Sequence, residues 1–279
     1  MILIADNGST SLNWVYISNT GDIKKVVDVG YNPNYSDISV FENHIKKLKS
    51  EHTFSPEEVY FYSTGVGNKI SYEKVFNTLC TVFSSSKVFV ETDLTGAARA
   101  ALGHDSGIVA ILGTGANAGY YNHPAIINQP LSLGYLFGDE GSGAYIGKMF
   151  LKALLEKKIS QELCDILYHD LNTDADSILH EIYNTAKPAF FFASFLPLLK
   201  KYISNSEIQN IIKQSFQDFF NSIVSRIDTQ NNKTISFIGS VAYNFSTQLK
   251  DVCNKNGFSL HSVNSSPING LIKYHSSHK

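Results

Sequence analysis

Apolar residues in this chain come first in short runs divided by turn residues, and only later at helical spacing. Residues 1–5, 12–17 and 23–29 read as three successive strands, with Asn19-Thr20-Gly21-Asp22 turning between the last two. Ser36 or Asp37 can cap a helix that runs through Lys49, followed by a short strand at 59–62, a helix at 72–82 and a strand at 87–90. A small-residue helix starts near Asp93 and runs to Leu102. The order β-β-β-α-β-α-β-α is thus complete by about residue 104, and the strand pattern restarts at Ile108 with 108–111 and 116–121. Helices dominate from Gly143 to about Ile227, apolar at helical spacing in Phe150-Leu151-Leu154-Leu155. The Asn-rich stretch 229–233 reads as an exposed turn, and a final β-α-β-α covers 234–238, 241–255, 259–263 and 267–275. The expected organisation is an α/β chain of two similar lobes, 1–104 and 105–266, joined by a helical hinge near 94–106. A C-terminal helix at 267–279 returns toward the first lobe.

Composition narrows the function classes. With 279 residues, 43% of them hydrophobic, the chain can bury a large core. A formal charge of -2 gives no electrostatic case for nucleic acid or an anionic membrane. Arg99 and Arg226 are the only arginines, which argues against base readout by Arg. No apolar run reaches the 18 or so residues that span a bilayer. The N-terminus opens on a strand pattern without a cationic region or cleavage site, so a cytoplasmic protein is expected. Cys80, Cys164 and Cys253 are far apart and outside any C-x-x-C spacing, and read as reduced thiols.

Two glycine-containing turns carry the candidate chemistry. Asp6-Asn7-Gly8-Ser9-Thr10-Ser11 and Leu112-Gly113-Thr114-Gly115-Ala116-Asn117 each follow an apolar run and each lead into a second strand. Glycine lets backbone N–H groups turn inward and Ser or Thr adds a hydroxyl, so such turns hold anionic oxygens without a lysine. The second turn is neither a Walker A loop, which needs its lysine, nor G-x-G-x-x-G. Two such turns about a hundred residues apart make the chain a candidate phosphotransferase.

The order DNGSTS, TDLTGAA, LGTGAN, GDEGSG and FIGSVA, spread over essentially the whole chain, resembles the N-acetylglucosamine kinase branch of the actin/Hsp70/sugar-kinase superfamily. The resemblance implies two RNase H-like lobes of the actin-like ATPase type with a nucleotide cleft between them. It implies Mg²⁺ at Asp6 and ATP phosphates at Gly8, Ser9, Thr10, Gly113, Thr114 and Gly115, with adenosine against Gly239 and Ser240. It implies Asp93 as the base that orients the sugar hydroxyl and accepts its proton, a role a nearby carboxylate fills well. It places Asn34, with Asn32 as the competing choice, and Asn117 and Asp139 at the sugar. The expected reaction is ATP-dependent phosphorylation of the 6-hydroxyl of an amino sugar such as N-acetylglucosamine. The partner is that small-molecule sugar, and the family suggests a homodimer.

Plainer readings stay open for each motif. Asn7-Gly8 suits a tight hairpin, Asp93 an N-cap, and Gly138-Asp139-Glu140-Gly141-Ser142-Gly143 a solvated helix cap. Asn32-Pro33-Asn34 suits an Asn-Pro turn, and Gly239-Ser240 a capped strand-to-helix turn. One departure stands out: relatives are often glycine-rich with a tryptophan before GDEG, where this chain has Leu131-Ser132-Leu133-Gly134-Tyr135. The surroundings of the sugar's 2-substituent are therefore expected to differ. Two rival activities share the fold. One is an ATPase of the type that activates 2-hydroxyacyl-CoA dehydratases, which needs cluster cysteines near the second turn; the resemblance itself extends to the benzoyl-CoA reductase activator-type ATPase family. The other is a non-catalytic sugar or nucleotide sensor.

Overall fold

The computed structural model describes residues 1–52 and 55–276, so the last three positions of the expected 267–279 segment lie outside the described residues. Contacts divide the chain into two units. The first comprises residues 1–106, 121–126 and 266–279, and the second 107–120 and 127–265. The division places the short stretch 121–126 with the first unit.

In the first unit, strands β1 (Ile2–Asn7), β2 (Ser11–Ile17), β3 (Ile23–Val29), β4 (Glu58–Ser63) and β5 (Lys87–Thr92) form one sheet in the order β3-β2-β1-β4-β5. β1 runs antiparallel to β2 and parallel to β4, with Asp6 level with Asn13 on one side and Tyr62 on the other. The run Ile2-Leu3-Ile4-Ala5 is continuously apolar because both faces of the central strand are covered. Leu3 and Ala5 pack on one face with Trp14, Phe41 and Val75; Ile2 and Ile4 pack on the other with Ile268 and Leu271. Helices α1 (Ile38–His52) and α2 (Lys69–Val82) supply the first face, α1 through Phe41, Ile45 and Leu48 at helical spacing. The second face receives α3 (Asp93–Leu102) and a C-terminal helix at Ile268–Ser276. The edge strand β3 carries Lys24 and Lys25, charges that discourage further strand pairing.

The second unit repeats the plan. β6 (Gly107–Leu112), β7 (Ala116–Asn122), β8 (Ala125–Asn128), β9 (Thr234–Ile238) and β10 (Ser259–Asn264) order as β10-β9-β6-β7-β8, the same arrangement written from the other edge. The expected helical stretch 143–227 is broken into pieces, preceded by the single turn α4 (Gly134–Phe137). They are α5 (Gly143–Leu155), α6 (Gln161–Leu171), α7 (Ala175–Asn184), α8 (Pro188–Ala193), α9 (Leu196–Lys201) and α10 (Ser206–Ser222). Local chemistry sets the breaks. Asn172 ends α6 in the left-handed region, Asp174 caps α7 through Ser177 N–H, and Pro188 starts α8. The expected 241–255 helix is likewise two, α11 (Ser240–Asn244) and α12 (Ser246–Lys255), divided at buried Phe245. The C-terminal helix is α13. Among the described residues no helix is long and apolar enough to cross a membrane.

Candidate active site

The first glycine turn is held from behind by one buried amide. Asn7, fully buried at the end of β1, donates from Nδ2 to the Tyr31 carbonyl (2.6 Å) and to Ser63 Oγ (2.8 Å). Its Oδ1 accepts from Tyr31 N–H at 2.9 Å. The side chain therefore ties β1 to β4 and to the segment after β3. The reversal itself is not the two-residue Asn-Gly hairpin: residues 8–10 form it, closed by Gly8 N–H donating to the Ser11 carbonyl at 2.9 Å. Ser9 and Thr10 are exposed at its tip. Gly30 backs it so closely that a Cβ there would sit 2.2 Å from the Gly8 carbonyl oxygen. Sequence reasoning passed over Asn7 and Gly30. A polar side chain between an apolar run and a glycine was the one visible signal.

Asp6, one position earlier, is partly buried. Burial, and then the charge of Asp93, push its carboxyl up to about 7. Asp93 opens α3 directly after β5. It is not the N-cap: Thr92 takes that part, accepting from Thr95 N–H at 3.2 Å. Asp93 instead accepts from Leu94 N–H at 2.8 Å and from the Thr64 side chain. Burial still pushes its carboxyl above the usual range, against those two bonds. Thr64 is itself fixed, its N–H donating to the Asn7 carbonyl at 3.0 Å. Asn7 thus links the first turn to the strand end that faces Asp93. Further along α3, Arg99 donates to Tyr62 Oη (3.0 Å) and Glu91 (3.1 Å), and Tyr62 Oη meets His275 Nε2 of α13 at 2.8 Å.

The second turn is held by backbone instead. Gly113 N–H donates to the Gly115 carbonyl (3.0 Å), and the first N–H groups of α5, from Gly143 and Ala144, donate to the carbonyls of Gly113 (2.8 Å) and Thr114 (3.1 Å). Ser142 caps α5 through Tyr145 N–H at 3.1 Å, so the cap of the GDEGSG segment is Ser142 and its acids are free of that task. Asp139 sits in the left-handed region (φ 59) and its carboxylate accepts from Ala116 N–H. Burial, and then Glu140, push that carboxyl above the usual range, while the Ala116 bond and Lys148 oppose the shift. Gly239, between β9 and α11, has φ 123, and a Cβ there would lie 2.3 Å from the Leu112 carbonyl oxygen. Only glycine lets β9 pass the second turn that closely. Ser240 follows as an exposed first residue of α11.

Within the second unit, Asn117, Asp139 and Glu140 line a pocket of about 250 Å³ together with Leu131, Leu133 and Arg226. Asn117 Oδ1 also accepts from Gln129 at 3.0 Å. Asn34, in the first unit, is exposed. It donates to the Gly65 carbonyl (3.2 Å) and accepts from Ser71 Oγ (2.7 Å) and Asn68 (3.2 Å). Asn32 forms the local Asx turn, accepting from Asn34 N–H at 3.0 Å. The three cysteines are free thiols on α2, α6 and α12. Among the described residues no group of three or more His, Cys, Asp or Glu converges on a metal position.

The chain matches a solved structure of a candidate N-acetylglucosamine kinase from Porphyromonas gingivalis at 31% identity, over 100% of both chains, with a TM-score of 0.91. A second candidate N-acetylglucosamine kinase, from Chromobacterium violaceum, superposes with a TM-score of 0.75 at 16% identity over 98% of each chain. A candidate N-acetylmannosamine kinase from Listeria monocytogenes gives 0.53 at 14% over 99% of each. These two lower identities speak for the fold alone. No family model and no curated protein matches the chain. At 31% identity over the full length of both chains, the protein belongs to the N-acetylglucosamine kinase-like family of sugar kinases, built on the two-unit actin-like ATPase fold.

Proposed function

We propose that the protein transfers the γ-phosphate of ATP to the 6-hydroxyl of an amino sugar, with N-acetylglucosamine the first candidate. The observation that carries this reading is Asp93. It stands at the start of a helix already capped by Thr92, and its carboxyl is pushed up by burial and oriented by Leu94 N–H and Thr64. A carboxylate whose basicity is raised and whose direction is set suits proton abstraction from an alcohol held beside it. In this reading Asp93 orients the sugar hydroxyl and takes its proton as the new O–P bond forms.

Asp6 and Asp93 bring two carboxyls into one partly buried environment, and the raised pKa of Asp6, about 7, marks a position that a cation would relieve. Mg²⁺ held at Asp6, mostly through water and phosphate oxygens, would offset charge on the transferred group. Gly8, Ser9 and Thr10 in one unit and Gly113, Thr114 and Gly115 in the other are assigned to the phosphates. Gly239 and Ser240, at the strand-to-helix turn between β9 and α11, are assigned to the adenosine. Asn117 and Asp139, which share one pocket, and Asn34 are assigned to sugar hydroxyls.

A coupled ADP-release assay over a panel of neutral hexoses and N-acyl amino sugars tests the reading. Sugar-dependent ADP release that is lost in Asp93→Asn is the expected result. ADP release that is independent of every sugar would refute it.

A further inference from the structure

We infer that the first unit carries a site for a divalent ion of the Zn²⁺ type, built from His104, His123 and Tyr274 and independent of phosphoryl transfer. The three side chains come from the turn after α3, the turn between β7 and β8, and α13, and all belong to the first unit. His104 Nδ1 lies 3.1 Å from His123 Nε2, and His123 Nε2 lies 3.2 Å from Tyr274 Oη. A neutral imidazole nitrogen offers either one proton or one in-plane lone pair, so His123 Nε2 serves one of these neighbours well and not both. A cation among the three atoms serves them all. The spacing fits it: a tetrahedral Zn²⁺ with bonds of about 2.0 Å sets its donor atoms about 3.3 Å apart. Imidazole is a donor that Zn²⁺ takes readily, whereas Mg²⁺ prefers carboxylates and water. The third donor is the phenol, whose proton passes to solvent as the ion binds.

The two histidines are brought together by bonds that do not involve them. Tyr121 Oη donates to the Gly103 carbonyl at 3.3 Å, next to His104, and Ser106 Oγ donates to Asn122 Oδ1 at 2.9 Å, next to His123. These ties fix both turns before any ion arrives, so binding does not have to order them. The rings meet edge to face with centroids 4.5 Å apart. Arg99, whose guanidinium stands 5.7 Å from the centre of the Tyr274 ring, is paired with Glu91 at 3.1 Å, which offsets its charge toward the ion. His104 is exposed and the other two donors are half-buried, so the ion has an entry path and an open position for water. Bound there, the ion would pin the 121–126 segment to the end of α3 and to α13 within the first unit.

The test takes the full chain stripped with EDTA and titrates it with Zn²⁺, and separately with Co²⁺, in excess Mg²⁺ to fill oxygen sites. Calorimetry should find a Zn²⁺ site in wild type, and Co²⁺ should give the visible absorption of a tetrahedral ion. His104→Ala, on an exposed turn, should weaken Zn²⁺ about tenfold or more, since even loss of a ligand's orienting partner costs that much. Tyr274→Phe keeps the ring without the oxygen; it should weaken Zn²⁺ less and shift the Co²⁺ spectrum. His180→Ala, an exposed histidine of the second unit, should change neither. Wild type that binds no Zn²⁺, or equal affinity in wild type, His104→Ala and Tyr274→Phe, overturns the inference. Sugar-dependent ADP release is read separately, so the metal site and the kinase reading stand or fall apart.

Discussion

The two glycine turns occupy equivalent places in two sheets of the same order, yet they are held by different physics. The first depends on a side chain: Asn7 makes three hydrogen bonds in a fully buried position, and the turn is backed by Gly30. The second depends on main chain: the N-terminus of α5 donates to the Gly113 and Thr114 carbonyls, and Asp139 closes over Ala116 N–H. Their acids differ in the same way. In the first unit the Asp6 and Asp93 carboxyls act on each other in a partly buried environment. In the second, Asp139 faces a pocket wall. Repeating a fold therefore repeats the shape of a turn without repeating the interactions that stabilise it. The copies are free to divide the labour between chemistry and recognition.

The sharpest test of that division is a pair of acid substitutions. Asp93→Asn should lower kcat by about 10²-fold or more, the range for a general base, with nucleotide binding retained. Asp139→Ala should act on the other parameter, raising the sugar KM by roughly tenfold with a smaller effect on kcat. If both variants lose kcat equally in steady-state kinetics, the division of labour is wrong.

Stability separates the two modes of support. Asn7→Ala strands the Tyr31 carbonyl and N–H in a buried place and leaves Ser63 Oγ only its bond to the Thr64 carbonyl, and should cost about 2–4 kcal/mol. Ser142→Ala in the second unit removes one cap bond and should cost about 1 kcal/mol, because the backbone bonds to Gly113 and Thr114 remain. Urea unfolding of both variants reads the difference. Equal losses would mean the first turn does not hang on Asn7.

A pH dependence tests the acid pair of the first unit directly. The Asp6 carboxyl is raised from an ordinary 3.8 to about 7, so the folded apo protein keeps that proton after the unfolded chain has released it. The resulting stability is complete below about pH 4 and is lost as pH rises toward and through 7. Wild type should therefore fall behind Asp6→Asn in melting temperature over that interval, with a constant gap above it. Thermal melts at unit pH steps, without Mg²⁺, give the curve; a gap that does not change between pH 4 and 8 removes Asp6 from the buried pair.

Much of the architecture was legible because the sheets are buried on both faces. A doubly covered central strand must be apolar at every position, so Ile2-Leu3-Ile4-Ala5 and Ile108-Val109-Ala110 announce themselves without any knowledge of their neighbours. The turns that follow them were legible for a related reason, since glycine beside Ser or Thr after such a run has few other uses. The strand pair at each start, the restart at Ile108 and the closing β-α-β-α are all local patterns, and all are present.

What remained hidden depends on residues that meet across long separations. Nothing local distinguishes Thr92 from Asp93 as the cap of α3, because either can accept from an N–H three positions on; the backbone of the β5–α3 junction chooses Thr92. Nothing local marks Asn7 as a buried tie, since its partners lie 24 and 56 residues away. Arg226 lies about a hundred residues from Asn117 in the sequence, and only folding makes it line the same pocket as Asn117 and Asp139. Hydrophobic periodicity by itself determined the elements and their repeat, because burial acts residue by residue along a strand. Which polar groups lose their water together, and so which of them can do chemistry or recognition, was decided only when the tertiary structure brought them into one place.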